Sequence, residues 1–139
     1  MDGKASNDSV FGELIFSYSR AQAIADGVLI DVGPMAREAG FRFPVALTQS
    51  VWADCVAWET KDSERQTYQD PVGRLWDVLF SAYLSLRGRQ CVASADTFEL
   101  HRIPRDGRSV KPVSVWLKIV IGPGDDGKPV MTIMTPFED

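Results

Sequence analysis

The sequence predicts an α+β protein in which an N-terminal helical part packs on a C-terminal three-stranded antiparallel sheet. The hydrophobic period changes along the chain: apolar residues recur mainly at helical spacing over 10–88 and alternate with polar residues over 97–135. The 139 residues, of which 45% are hydrophobic and 24% are charged, suit one folded domain over 1–139 with a flexible segment at 1–9.

Two short helices with a strand between them are predicted first. Ser19 and Gln22 form a capping box, because the serine hydroxyl accepts from an orphan amide while the glutamine reaches back, so a helix is expected over Arg20–Asp26. The β-branched segment Val28–Val32 is a strand candidate, and a second helical turn over 34–40 begins at a proline and ends at a glycine. Helices this short are unstable alone and need a larger element to pack on.

A longer helix is predicted near residues 46–59. Its apolar positions recur at intervals of four, four and three residues, which places them on one face. These positions are Leu47, Val51, Cys55 and Trp58. The polar segment Glu59–Asp70 that follows is interpreted as a connection with few core residues.

The longest helix is predicted to begin at Asp70-Pro71 and to end at Gly88. An aspartate N-cap followed by proline at the first helical position is a strong start signal. Apolar residues continue at helical spacing and occupy much of the circumference of this helix. We therefore expect it to be the central helix, with Trp76 in the core.

The final third of the chain predicts an antiparallel meander of three strands. Val113–Ile121 alternates over nine residues, Phe98–Ile103 precedes it, and Val130–Met134 follows it. The connecting segments are rich in glycine, proline and aspartate, as turns are. The alternation places Trp116 and Lys118 on the face opposite the core, so an interface or a packed helix is expected there.

Composition and charge bound the class of function. The net charge is −4 and the pI is about 5.0, which argues against direct nucleic-acid binding as the main activity. Residues 87–118 nevertheless carry seven basic and three acidic side chains, and this stretch is either a solvated mixed-charge surface or a contact for phosphate or an acidic partner. The sequence shows no apolar stretch of membrane-span length, no signal-peptide pattern and too few cysteines for a disulfide framework. A cytoplasmic protein with no membrane association is expected.

The sequence assembles no catalytic or cofactor-binding motif. A single histidine and two distant cysteines exclude the usual metal-ligand spacings, and no phosphate-binding glycine loop occurs, so no metal or cofactor is expected. Two groupings keep a small enzyme of unknown substrate as an alternative. One is a Cys91–His101 pair close to basic residues, and the other is a carboxylate site near Arg20, Asp26 and Asp31.

Four segments of the chain carry a family resemblance. They are FGELIFSYSRAQAIADGVLIDV, AREAGFRFPVALTQSVW, DPVGRLWDVL and WLKIVIGPGDDGKPVMTIMTPFED. Together they resemble a family of small bacterial proteins of unknown function carried on plasmids, phages and other mobile elements. This resemblance implies a context rather than a mechanism, because small acidic proteins of mobile elements often resemble inhibitors of host defence, including anti-CRISPR proteins.

The leading hypothesis is a non-enzymatic accessory protein that binds and inhibits or modulates a host protein or ribonucleoprotein complex. The expected partner-binding residues are two strand residues and four acidic residues of the last loop and tail, where carboxylates could compete with phosphate for a basic groove. They are Trp116, Lys118, Asp125, Asp126, Glu138 and Asp139. The alternative for the acidic four is a solvated turn and tail. A homodimer through the Trp116 face or an open sheet edge is the third hypothesis.

Overall fold

The computed structural model describes residues 18–88 and 94–138, and these contain five helices and five strands. The helices are α1 (Arg20–Ala25), α2 (Gly33–Ala39), α3 (an α-helical turn, Gln49–Val51, continued by a π-helical turn, Trp52–Val56), α4 (Thr60–Arg65) and α5 (Pro71–Arg87). The strands are β1 (Leu29–Asp31), β2 (Val45–Thr48), β3 (Ala95–Arg102), β4 (Val113–Pro123) and β5 (Pro129–Met134). The predicted flexible segment 1–9, Cys91 and Asp139 lie outside the described residues.

All five of these strands form one mixed sheet in the order β1-β2-β5-β4-β3. The neighbours β2 and β5 run parallel, and the other three pairs are antiparallel. The α+β class is confirmed, but the prediction of a three-stranded antiparallel sheet with a separate helical part is wrong. Val45 pairs with Met131 and Leu47 with Ile133, so the N-terminal part of the chain extends the sheet instead of only covering it.

The predicted helix near 46–59 is wrong at both ends. Leu47 belongs to β2, and the helix begins only after Thr48, whose hydroxyl accepts from the Val51 N–H at 3.4 Å. The helix then widens, because the Ala57 N–H donates to the Trp52 carbonyl five residues earlier. The four-residue spacing from Leu47 to Val51 matches a helix only by coincidence. Leu47 lies in a strand and Val51 in a helix, and both are buried in the same core.

The segment 59–70 is more structured than the sequence predicts. It contains α4, which starts with a reciprocal capping box between Glu59 and Asp62. Asp62 is 5% exposed, and its carboxylate accepts from the Glu59 N–H and from Arg105 Nε, both at 2.8 Å. Burial raises the pKa of Asp62, but these hydrogen bonds outweigh it and hold the pKa below its usual value.

The remaining predicted elements are confirmed to within about two residues at each end, the usual uncertainty of helix and strand ends, except that β3 begins at Ala95, three residues before the predicted Phe98. Ser19 accepts from the Gln22 N–H as expected, although the Gln22 side chain donates to Asp26 instead of reaching back. Asp70 caps α5 through the Gly73 N–H at 2.6 Å. In the C-terminal part, β4 extends two residues beyond the predicted end, and β5 begins one residue early.

The inner face of the sheet forms the hydrophobic core together with α2, α3 and α5. Residues at alternate positions of the five strands share this face, as the pairing registers require. They are Ile30, Val45, Leu47, Phe98, Leu100, Val115, Leu117, Ile119, Ile121, Met131 and Ile133. Gly40 lets the end of α2 approach α5: it has a φ of +118°, and an added Cβ would lie 2.5 Å from the Tyr83 ring.

The expectation that α5 is a central helix with Trp76 in the core is wrong. Leu75, Val78 and Leu79 face the sheet and are buried, but Trp76 and Phe80 lie on the other side and are exposed. The helix therefore covers one face of the sheet and presents a second apolar surface to solvent.

Candidate functional site

The outer face of the sheet exposes the aromatic residue that the alternation of β4 singles out. Trp116 is 54% exposed and points away from its buried neighbour Leu117. Lys118 lies on the same face two residues further along β4, and its Nζ donates to the Glu138 carbonyl at 2.6 Å. The C-terminal segment is therefore fastened beside Trp116.

This C-terminal segment also carries an exposed aromatic residue. Glu138 Oε1 accepts from the Thr48 hydroxyl at 2.9 Å and from the Thr135 N–H at 2.7 Å. Desolvation raises the pKa of Glu138, but these hydrogen bonds outweigh it and hold the pKa below its usual value. Phe137, next to this anchor, is 97% exposed. The sequence reasoning missed Phe137, because it lies in a tail without any hydrophobic period.

Polar side chains of β3 surround the exposed tryptophan. Glu99 is paired directly opposite Trp116 and accepts a hydrogen bond from the Ser114 hydroxyl. His101 Nε2 lies 3.8 Å from Glu99 Oε2. We call the group made by Trp116, Phe137, Glu99, His101 and Lys118 the outer-face patch. It combines two exposed aromatic rings with side chains of both charges.

The four predicted acidic residues do not form one cluster in the described part of the chain. Asp125 and Asp126 lie in the turn between β4 and β5, whereas Glu138 follows the far end of β5. A six-residue strand separates the two places by about 20 Å. Asp139 lies outside the described residues.

The two turn aspartates have different local roles. Asp125 binds the first turn of α1: its two carboxylate oxygens accept from the Arg20 and Ala21 N–H groups at 2.8 and 3.0 Å. These hydrogen bonds, with Ala21 contributing most, hold the pKa of Asp125 below its usual value. Asp126 Oδ1 accepts from the Lys128 N–H within its own turn, and its side chain stays exposed.

The alternative carboxylate site is occupied by structural contacts. The Arg20 guanidinium donates to the Thr132 hydroxyl and the Met131 carbonyl, which fastens α1 to β5. Asp26 accepts from the Tyr18 hydroxyl, and Asp31 accepts from the Gly33 N–H. Each carboxylate is thus held by its own neighbours, and the described residues do not bring Asp26 and Asp31 together as a hydrogen-bonded pair. Cys91, the other candidate, lies outside the described residues.

A small polar cavity of about 70 Å³ lies between α3, α5 and the end of β3. Arg74 is 3% exposed and donates to the carbonyls of Asp54, Val56 and Ile103, so it satisfies the acceptors that the π-turn and the end of β3 leave open. Burial and the nearby Asp54 raise the pKa of Cys55 to about 12, which keeps its thiol protonated at neutral pH. The cavity therefore holds a structural arginine and an inert thiol.

The described residues contain neither a metal-binding cluster nor a helix suited to span a bilayer. No group of three or more histidine, cysteine, aspartate or glutamate side chains in these ranges could hold a metal ion. No helix among the described elements combines the length and the apolar character that a bilayer span requires.

The fold and the patch define an α+β protein that exposes Trp116 on the outer face of its sheet. The comparison with family models then places the chain: residues 7–139 match the Family of unknown function (DUF6573), and the protein belongs to this family. The expected resemblance to a family of unknown function is confirmed. Searches of curated proteins and of solved structures find no match to the chain.

Proposed function

We propose that this protein acts by binding a host protein or ribonucleoprotein complex through the outer-face patch and inhibiting or modulating it. The observation that carries the proposal is the exposure of Trp116 on the outer face of the sheet, next to an anchored C-terminal segment in which Phe137 is exposed. Aromatic rings are enriched at protein interfaces because they bury a large area with little conformational entropy, and their exposure in a free protein indicates a contact surface.

The charges of the patch favour a protein surface over a nucleic acid as the direct contact. Glu99 carries negative charge beside Trp116, and Lys118 already donates to the chain's own Glu138 carbonyl. Phosphate binding needs an excess of free lysine and arginine, which a patch of mixed sign does not offer. A partner with its own aromatic and polar groups fits better, because mixed polar and aromatic surfaces are typical of non-obligate interfaces.

The resemblance to proteins of mobile elements supports a host defence complex as the partner. A separate part of this proposal is that acidic side chains of this protein compete with phosphate for a basic groove of the partner. This part depends on Asp126, whose side chain is exposed. Asp125 and Glu138 suit it less, because their carboxylates accept hydrogen bonds from the protein's own backbone.

To test the proposal, the tagged protein is used to capture defence complexes from host cells, and the nuclease activity of the captured complexes is measured. Wild type is compared with Trp116→Asp and with Val110→Asp, a matched control because Val110 is as exposed as Trp116 but lies in the β3–β4 connection. We expect wild type and Val110→Asp to bind one complex and lower its activity, and Trp116→Asp to lose binding at least tenfold. Equal binding by Trp116→Asp, or binding that leaves activity unchanged, would contradict the proposal.

A charge reversal tests the acidic part separately. If carboxylates compete with phosphate, Asp126→Lys should lower the affinity for the host complex and should make that affinity less dependent on the salt concentration. If Asp126→Lys binds like wild type at every salt concentration, the acidic part is wrong while the aromatic patch still stands.

A further inference from the structure

Helix α5 carries a row of exposed apolar side chains that the outer-face patch does not use. The row follows an interval of four residues, and its members are between 37% and 65% exposed. They are Val72, Trp76, Phe80 and Leu84, which we call the apolar stripe. It is about 18 Å long at the rise of an α-helix. Its two central rings, Trp76 and Phe80, stack with centroids 5.7 Å apart.

An apolar groove adjoins the stripe and enlarges the surface. The groove has a volume of about 660 Å³ and lies between the C-terminal half of α5 and the α2–β2 connection. Tyr83 and Arg87 line it from α5, and Phe43, 40% exposed, lines it from the other side. Tyr83 is three residues from Phe80, so the groove and the stripe are neighbours on the helix surface. Contiguous exposed apolar surface of this kind marks an interaction site.

We propose that the apolar stripe and its groove bind a second copy of this chain, with the two α5 helices antiparallel. The stripe suits this occupant because it is self-complementary about its own midpoint, which lies between Trp76 and Phe80 on the exposed side of the helix. A two-fold axis there places Val72 beside Leu84 of the partner subunit and Trp76 beside Phe80 of the partner subunit. Aliphatic ends then meet aliphatic ends, and aromatic rings meet aromatic rings.

The four-residue spacing of the stripe determines the angle at which the two helices are expected to cross. Residues at intervals of four form a ridge, and two such ridges interdigitate when helices cross at about −50°, the most common packing in globular proteins. The stripe is one complete ridge of this kind over Val72–Leu84. Two copies of this ridge fit the ordinary geometry of helix packing.

The charges at the ends of α5 select the antiparallel direction. Asp70 caps the N-terminal end and Arg87 is exposed in the last turn. An antiparallel pair brings Asp70 towards Arg87 of the partner subunit, whereas a parallel pair brings like charges together. Between these ends the four stripe residues are uncharged, and Asp77 is the one exposed charged residue of α5 beside them. Homodimer interfaces are more apolar than those of transient complexes.

The size of the surface decides which parts of it a dimer must bury. A standard stable interface buries about 800 Å² on each partner, more than four half-exposed side chains supply, so the groove must also take part. We expect a dimer that forms at micromolar concentration. This inference is independent of the proposed function, because Trp116 lies on the opposite side of the molecule from α5.

The test is sedimentation velocity over protein concentrations of about 1 to 200 µM, a range that spans micromolar dissociation constants. Wild type should move from monomer to dimer mass, and Phe80→Asp should stay monomeric at least tenfold beyond the wild-type midpoint. Val110→Asp and Trp116→Asp should dimerise like wild type. Circular dichroism checks that Phe80→Asp is folded. A wild type that stays monomeric at the highest concentration overturns the proposal, as does a Phe80→Asp variant that dimerises normally.

Cysteine cross-linking tests the antiparallel direction. The background is Cys91→Ser, since Cys55 is buried and its high pKa keeps it unreactive. On oxidation, a mixture of Val72→Cys and Leu84→Cys should give mixed disulfide dimers, and Val72→Cys alone should give few. Efficient cross-linking of Val72→Cys with itself would overturn the antiparallel arrangement.

Discussion

The side of α5 that faces the sheet and the side that faces away are both apolar, but only the first is buried. Leu79 is completely buried in the core, whereas its neighbour Phe80 is 40% exposed beside Trp76. The same kind of side chain thus stabilises the monomer on one side of the helix and is available for association on the other. The difference shows that hydrophobicity along a helix does not by itself say where the core lies.

The largest effect is expected at Arg74, the one charged residue of α5 that is buried. Arg74→Met removes the guanidinium, whose carbon lies 4.6 Å from the centroid of the Trp58 ring, and leaves the buried carbonyls of Val56 and Ile103 without a donor. We expect a loss of about 4 kcal/mol in the free energy of unfolding, since each unsatisfied buried group costs about 1–3 kcal/mol. Urea denaturation measures it. A loss under about 1 kcal/mol would show that the π-turn does not depend on this arginine.

The pair Leu79 and Phe80 compares the two sides of the helix directly. Leu79→Ala should lower the free energy of unfolding by about 3 kcal/mol, because it leaves a cavity in the core. Phe80→Ala removes more atoms but should cost about 1 kcal/mol or less at low protein concentration, where the monomer predominates. Denaturation at about 1 µM measures both values under that condition. Equal losses would mean that the two sides of α5 are not energetically distinct.

A smaller effect is expected at Asp125, which touches neither side of α5. Asp125→Ala removes the carboxylate that accepts from the Arg20 and Ala21 N–H groups, and should lower the melting temperature by a few degrees without changing association. Because the folded pKa is lowered, this stabilisation is complete at pH 7. It is lost as the pH falls below about 4 and through the folded pKa.

Melting curves of wild type and Asp125→Ala between pH 7 and pH 2 check this prediction. The two melting temperatures should converge in acid. A difference that persists unchanged to pH 2 would mean that the carboxylate charge is not the source of the effect.

The parts of the fold that local chemistry specifies are predictable from the sequence. Asp70-Pro71 and Gly88 locate α5 correctly, and the strict alternation of β4 places Trp116 on the outer face. The strand β2 is missed because its three apolar residues, Val45–Leu47, run through Thr48 directly into a helix, and its partner β5 lies 86 residues away at Val45–Met131. No local pattern carries that parallel pairing.

The candidate surfaces are predictable only in part, for a physical reason. Hydrophobic periodicity identifies the buried face of an element only when the opposite face is mainly polar. The opposite face of β4 is mainly polar, whereas that of α5 is apolar. Trp76 therefore gives no sequence signal that separates a core position from an exposed one. Phe137 gives none either, since its exposure depends on how Glu138 anchors the tail to Thr48 and Lys118.

The most direct test of the two-sided helix is a dilution series followed by NMR through the indole N–H signals of the tryptophans. Trp76 lies in the apolar stripe and Trp116 in the outer-face patch, so each signal reports on one surface. Between about 200 and 5 µM, we expect the Trp76 signal and the amides of Phe80 and Leu84 to shift while Trp116 stays constant. A shift of Trp116 with a constant Trp76, or no shift at all, would contradict the account.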